Sequence, residues 1–500
     1  MKAKKLWGAR MTKAPSALAE AFTSGRDMRG IPPADEKLIP YDLWGSRAHV
    51  VMLARQKILP RMEARTLIKG LKTIENSWRQ GNFHLDLSQE DVHSNVETLL
   101  TQKMGAEIGG WLHTARSRND QIALDMRLYL RDRVLEFIST TRVLIHDLTD
   151  LAKKHGSVIL PGHTHHQPAQ LTTLGHLWLS FAEPLVRDVQ RFQGWYERFN
   201  QNPLGSMTGY GTSFAIDREL TSRLLGFDGP CRNTLDPIQN RWEPEAEMAF
   251  TIAGLMNHLS STAQTLILFS TNEFGLVRLD DAYCSGSSMM PQKRNPDSLE
   301  VIKAKAALSQ GSLMSLLTIG RSLFMGYNRD TQWTKYLIMD LVEECVTAPQ
   351  MMAEIISTLQ MEKKKMAVQS QKGFIGAPDL LEWLVQKWGI PFRRAKVAME
   401  KAVKYSENEG QEKVSFPSLK RAFREADLDY PLNEKMMVEV QEPAVIVSRR
   451  KAVGGTAPEA LQKNILSLTR FEQNLQRWLS QTRKQQSLAR TRLAEMEGSL

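Results

Sequence analysis

Apolar residues at helical spacing, sustained over long stretches, constrain this sequence more than any other feature. Across residues 171–199 they recur three and four apart, as Leu174, Leu177, Trp178, Phe181, Leu185, Val189 and Phe192, the period of one helix face. Similar stretches cover residues 246–274, 298–319 and 335–361, and within 298–319 Leu299, Ile302, Ala306 and Leu313 recur with basic residues between them. At roughly 25 residues, such helices are about twice the average length. Alternating runs of period two are scarce and short. The pattern therefore predicts a mostly α fold around a bundle of long helices. Pro161, Pro168, Pro203, Pro237, Pro244, Pro291 and Pro296 fall between the stretches or at their starts, where a missing N–H is tolerated. Wide apolar helix faces need partners, so the bundle is expected to be shared in a homo-oligomer.

Five hundred residues predict two or three domains. Soft boundaries near 118 and 368 give a mixed helical N-terminal domain (1–118), a central long-helix domain (119–367) and a C-terminal helical domain (368–500). The last stretch, 458–500, reads as a Gln- and Arg-rich helix with a solvated face. A net charge of +10 arises from 65 basic and 55 acidic residues, spread without long runs. With no zinc-finger, RNP or helix-turn-helix pattern, nucleic acid is not an expected partner. Cys231, Cys284 and Cys345 are widely spaced, which fits a reducing compartment and neither a disulfide framework nor a zinc ribbon. The opening MKAKKLWGARMTK has positive charge but no apolar core, and no run of ~18 apolar residues could span a membrane. A cytoplasmic location without a membrane partner is expected.

Three segments carry chemistry. Residues 286–300, GSSMMPQKRNPDSLE, combine a Gly-Ser-Ser loop, a lysine, an asparagine and a helix start. Backbone N–H groups in such a loop can hold a carboxylate whose charge grows during reaction. Residues 112–121, LHTARSRNDQ, place two arginines, a serine, an asparagine and an aspartate within six positions, the makings of a carboxylate clamp. Its ordinary alternative is a solvated turn with internal salt bridges. Residues 161–170, PGHTHHQPAQ, hold three histidines in four positions. Their spacing is not that of a helical HExxH zinc site, and no metal is expected there.

The order of these residues carries a family resemblance. GSSxMPxKxNxxxxE is similar to the shared motif of the fumarase–aspartase superfamily. LHTARSRNDQ resembles the HTGRSRNDQ block of the argininosuccinate lyases, with Ala115 at a usual glycine, and GHTHHQPAQ resembles their GYTHLQxAQ block. Further echoes are KLWGAR at 5–10, DLWGS at 42–46, EDVHSNVE at 90–97, the PLGxGAxxG…DREL stretch, YNRDTQWTK at 327–335 and SRRKAVGGTAPEA at 448–460. The resemblance runs from about residue 5 to about residue 465.

That resemblance implies a three-domain fumarase/aspartase-like fold in a homotetramer, with each site combining segments from three subunits. It implies a cofactor-free carbon–nitrogen lyase that releases fumarate from an N-substituted aspartate. Ser287 would be the catalytic base, with His165 as its partner in proton transfer, oriented by Glu300. Ser46, Arg118, Asn119, Thr164, Lys293, Asn295, Tyr327, Gln332 and Lys335 would bind the small-molecule substrate, largely through its carboxylates. His163 and His166 replace a usual tyrosine and leucine.

Departures concentrate on the amine side. The usual Gln-Glu-Asp-Lys is here Gln332-Trp333-Thr334-Lys335, and the usual SxRD is Gln239-Asn240-Arg241-Trp242. Losing acids beside the substrate weakens recognition of a guanidinium. Two readings share one chemistry: argininosuccinate as substrate, or a different N-substituted aspartate with another amine product. A third, a non-catalytic relative on the same scaffold, would tolerate loss of Ser287 or His165, and both are present.

Overall fold

A computed structural model describes Lys13, Ser16, residues 34–86 and residues 91–500. The KLWGAR opening and Glu90 of EDVHSNVE lie outside the described residues.

The body is helical, as the spacing predicts. Helices α1 (Ile39–Arg55), α2 (Arg61–Arg79) and α3 (Val92–Met104) open the chain. The bundle follows: α4 (Arg118–His155), α5 (Leu174–Phe199), α6 (Trp242–Ser270), α7 (Asp297–Ile319), α8 (Gln332–Cys345) and α9 (Ala348–Thr358). The stretch expected at 335–361 is two helices, because Pro349 occupies the first turn of α9 and cannot continue α8. The 38-residue α4 was not legible as one helix. Its buried face includes Asp120, Asp125, Arg127 and Arg131 among the apolar residues, which breaks the hydrophobic period.

Packing along the bundle is dense. Trp178, Phe192 and Trp195 of α5 are fully buried, each contributing roughly 2–3 kcal/mol of transfer free energy. Phe192 stacks on Phe137 of α4 with centroids 5.1 Å apart, and Trp195 Nε1 donates to the Pro244 carbonyl of α6 at 2.8 Å. Arg131 is wholly buried, yet its guanidinium donates to Asn200 Oδ1 and the carbonyls of Leu225 and Gly226, each at 2.9 Å. A buried cation persists only with such partners.

Among the described residues the strands form three two-stranded sheets. The largest is an antiparallel hairpin of β1 (Ile159–Thr164) and β2 (Gln167–Thr173). A second apolar cluster gathers residues from Ala377 to Val440, within α10 (Ala377–Trp388), α11 (Phe392–Asn408), α12 (Phe416–Glu425) and their neighbours. The final helix, α13 (Pro458–Gly498), leaves that cluster and returns to the main body: Leu461, Leu475, Ala489 and Leu493 join the principal core. Its Glu497 pairs with Arg47 of α1 and Lys72 of α2, and Arg490 covers the Trp44 ring at 3.7 Å. No helix among the described residues is long and apolar enough to cross a membrane.

Candidate functional site

The start of α4 opens one wall of a cavity of about 110 Å³. Arg118, Asn119, Tyr327, Gln332 and Lys335, all expected substrate contacts, line it together. Tyr327 donates to Gln332 Oε1 at 3.0 Å, which fixes both side chains. Lys335 is buried and paired with Asp35, which also accepts from Val92 N at 3.2 Å. Asp91 caps α3 by accepting from Ser94 N at 2.8 Å. Arg241 closes the back wall, 5.5 Å over the Tyr327 ring and donating to the Thr331 carbonyl at 3.0 Å.

The 112–121 block divides between this cavity and the scaffold. Arg116 turns inward, only 4% exposed, donating to the Leu112 carbonyl and to Ser46 Oγ at 3.0 Å. Ser46, an expected substrate contact, is itself buried on α1 and engaged there. Ser117 and Asp120 form a capping box on α4. Asp120 also reaches across to accept from Gly205 N and Met207 N, both at 2.9 Å. Burial pushes its carboxyl up to about 6, against the pull of those three backbone N–H groups. Arg118 and Asn119 are left facing the cavity. Ala115, at the family's glycine position, has φ 56°, a left-handed conformation that strains any residue with a Cβ. Ala115→Gly is expected to raise stability by about 0.5–1 kcal/mol, read as a higher denaturant midpoint at unchanged slope.

The 286–300 segment is a loop closed by Ser285 and Asn295, whose backbones exchange hydrogen bonds at 3.0 and 2.8 Å. Asn295 Nδ2 adds a donor to Ser285 Oγ at 3.3 Å. Ser287 Oγ accepts from Met289 N at 3.3 Å and Met290 N at 3.0 Å. Two backbone donors on one hydroxyl oxygen favour its alkoxide form, the requirement for a serine base. Lys293 is exposed and borders a second cavity, of about 490 Å³, with Met290 and Gln292. Glu300 lies exposed in the first turn of α7.

Thr164 and His165 sit at the tip of the β1–β2 hairpin, exposed in the single chain. His165 and His166 are its two turn residues, at φ 52° and 61°, the geometry of a two-residue hairpin turn that usually takes Asn-Gly. His163 packs instead beside Phe274 and Phe269, ring centroids 5.5 and 6.3 Å away. Burial pushes its pKa down. The SRRKAVGGTAPEA segment anchors this hairpin: Arg450 grips both Asp379 oxygens, at 2.8 and 2.7 Å, and donates to the Leu171 carbonyl of β2.

Behind the first cavity, Asp42, His93 and Asp125 bring ligand-type atoms within 4.8 Å of one another, all buried. His93 Nδ1 donates to Asp42 Oδ1 at 2.9 Å and lies 3.7 Å from Asp125 Oδ2. Burial pulls the imidazole down, but the hydrogen bond and charge of Asp42, with Asp125 and Asp91, raise it to about 9. Burial and the Asp42 charge push Asp125 well up. Arg116, pulled down by burial, is stabilised by Asp42, Asp120 and Asp125. A metal ion in the cluster would face that guanidinium, so the arrangement fits an imidazolium hydrogen-bonded to Asp42 beside Asp125 better.

A single chain thus presents three separated groups: the Arg118–Lys335 cavity, the Ser287 loop and the His165 hairpin tip. The two cavities share no lining residue. Asp35, Asp91, His93, Arg241 and Arg329 also line the first cavity and were not singled out as ligands. The EDVHSNVE echo contains Asp91 and His93, the YNRDTQWTK echo contains Arg329, and Arg241 stands in the Gln239–Trp242 departure, whereas Asp35 lies in none of these motifs. The unusual residues lie off that lining. Trp333 is exposed against Tyr336, Thr334 is buried and donates to the Thr331 carbonyl, Asn240 donates to Asp236, and Trp242 packs on Gly320.

Residues 10–311 match the family described as lyase. The argininosuccinate lyase of Hahella chejuensis is 39% identical over 464 residues, covering 92% of this chain and 96% of that protein. That of Nitratiruptor sp. is 37% identical, covering 94% and 99%. Among solved structures, EDDS lyase in complex with formate superposes with TM-score 0.87 at 27% identity, covering 98% of this chain and 96% of that one. A variant of EDDS lyase with bound fumarate matches equally well. A fumarate lyase from Mesorhizobium sp. BNC1, 17% identical with TM-score 0.70 over 91% of this chain and 98% of that one, shares the fold.

Proposed function

The chain belongs to the lyase family that includes the argininosuccinate lyases, and on that premise we propose that it cleaves argininosuccinate to arginine and fumarate. Ser287 takes the proton from Cβ of the succinyl half, and the electron pair forms the Cα–Cβ double bond as the Cα–N bond breaks. The departing nitrogen receives a proton from the side of the site that His165 supplies, with Glu300 orienting that histidine. Thr164, Lys293 and Asn295 hold the succinyl carboxylates, whose charge grows as Cβ loses its proton. Arg118, Asn119, Tyr327, Gln332 and Lys335 hold the amine half. Ser46 supports Arg116 behind them. No organic cofactor or metal takes part in this scheme.

The observation that carries the arginine assignment is that Asn240, Trp242, Trp333 and Thr334 all lie off the cavity lining within one chain, so the positions of the lost acids do not border that cavity. A homotetramer brings the three groups together, each site drawing on three subunits. Supporting it, α7 leaves Leu308, Met314 and Leu317 exposed, an apolar face that lacks a partner in one chain. We also propose a cytoplasmic location, in keeping with three free, buried cysteines. The chain divides near 118 and 368, with α13 returning to the central unit.

Purified protein given argininosuccinate should release fumarate and arginine in equal amounts, followed by the ultraviolet absorbance of fumarate and by chromatography. Fumarate consumption with a panel of other amines, but no action on argininosuccinate, would transfer the assignment to another N-substituted aspartate.

A further inference from the structure

The Arg118–Lys335 cavity has a surplus of donors. Its two carboxylates are both engaged, Asp35 with Lys335 and Val92 N, Asp91 with Ser94 and the start of α3. No carboxylate of the lining is left to meet a cation. Against them stands His93, which lines the same cavity, is 4% exposed, and has no partner for Nε2 among the described residues. A buried polar atom without a partner costs free energy unless a ligand or water completes it. Nδ1 of the same ring is committed to Asp42 and lies 3.7 Å from Asp125, which fixes the ring plane and leaves Nε2–H as the uncommitted donor.

We propose that His93 is a substrate-contacting residue, an imidazolium oriented by Asp42 and Asp125 whose Nε2–H binds the carboxylate of the amine half of the substrate. This rests on the argininosuccinate reading above and deepens it: the carboxylate of the departing arginine is read by a buried cation at His93. Four further charged groups surround the ring. Asp91 precedes it on the same helix, Arg116 lies against the two carboxylates, and Asp35 with Lys335 closes the far wall. The hydrogen bond and charge of Asp42, with Asp125 and Asp91, outweigh the burial of the ring, so it stays charged through neutral pH.

The test compares two competitive inhibitors of the intact enzyme, arginine and agmatine, the same guanidinium amine without its carboxylate, with fumarate as a third probe. Wild-type protein should bind arginine more tightly than agmatine. In His93→Gln, which keeps a hydrogen bond to Asp42 but loses the charge, arginine should weaken by about 10- to 100-fold, the usual loss when a charged donor to a carboxylate is removed. Agmatine and fumarate should change by less than threefold, so the arginine-to-agmatine ratio collapses toward one. That ratio is internal to each protein and does not depend on the folded fraction. Equal weakening of all three would assign His93 a purely structural role and overturn the proposal, as would an unchanged ratio. Asp125→Asn, which leaves the ring in place with one carboxylate fewer, should lower the ratio partway; no change there also counts against it. Wild-type protein that does not turn over argininosuccinate would instead overturn the argininosuccinate assignment, and the inference with it.

Discussion

Replacing Ser287 by alanine is expected to lower fumarate release by a factor on the order of 10³, within the range lost when a positioned acid or base is removed. The hydroxyl contributes no long-range packing: its partners are two N–H groups of its own loop, Met289 N and Met290 N. Both residues are exposed, so water can replace Oγ, and the variant should unfold within about 0.5 kcal/mol of the parent. The loss should therefore fall on kcat, with KM for argininosuccinate nearly unchanged. Ser288→Ala, at an exposed neighbour without those two contacts, is the control and should retain most of the activity. A Ser287→Ala enzyme keeping more than a tenth of the wild-type rate would remove Ser287 from the proposed chemistry.

Asp120→Asn should be the most destabilising isosteric change in the 112–121 block, by roughly 3–5 kcal/mol. One oxygen accepts from Ser117 N, and the other from Gly205 N and Met207 N. An amide in that position points N–H against N–H on one side or the other. The helix start loses its cap, and the 205–207 turn loses the tie to α4. Because Arg118 and Asn119 ride on that first turn, the same variant should raise KM more than it lowers kcat. Urea unfolding and steady-state kinetics would check both, and a loss below about 1 kcal/mol would show that the three contacts are dispensable. The wild-type carboxyl also imposes a sign. Its folded pKa lies above the unfolded value, so its contribution is greatest below about 4 and declines as pH rises through about 6.

These expectations mark where sequence is informative. Helix α7 is plain in the spacing of its apolar residues and helix α13 in its Gln- and Arg-rich composition, although the core-facing leucines of α13 contradict a wholly solvated face, and Pro349 marks the break between α8 and α9 once its place is known. The hairpin carrying His165 is not plain, since PGHTHHQPAQ has no alternation and a His-His turn lacks the usual glycine. In SRND, four polar residues in a row carry no sign of which turn inward. Asp120 faces three backbone donors while Asn119 faces a cavity, and only the fold of the 205–207 turn decides it. His93 was visible within EDVHSNVE, but its partners Asp42 and Asp125 lie 51 residues before it and on another helix after it, and no local pattern joins them.

The return of α13 to α1 sets an order in time. Arg47 and its partner Glu497 are 450 residues apart, and Arg490 covers Trp44 from almost as far. At typical synthesis rates of roughly 5–20 residues per second, roughly 20 to 90 s pass between the ribosome's addition of the first partner and of the second. Through that interval the nascent N-terminal helices carry an uncovered tryptophan and an arginine still lacking Glu497. These contacts between the first and last helices therefore cannot form until the last helix has emerged.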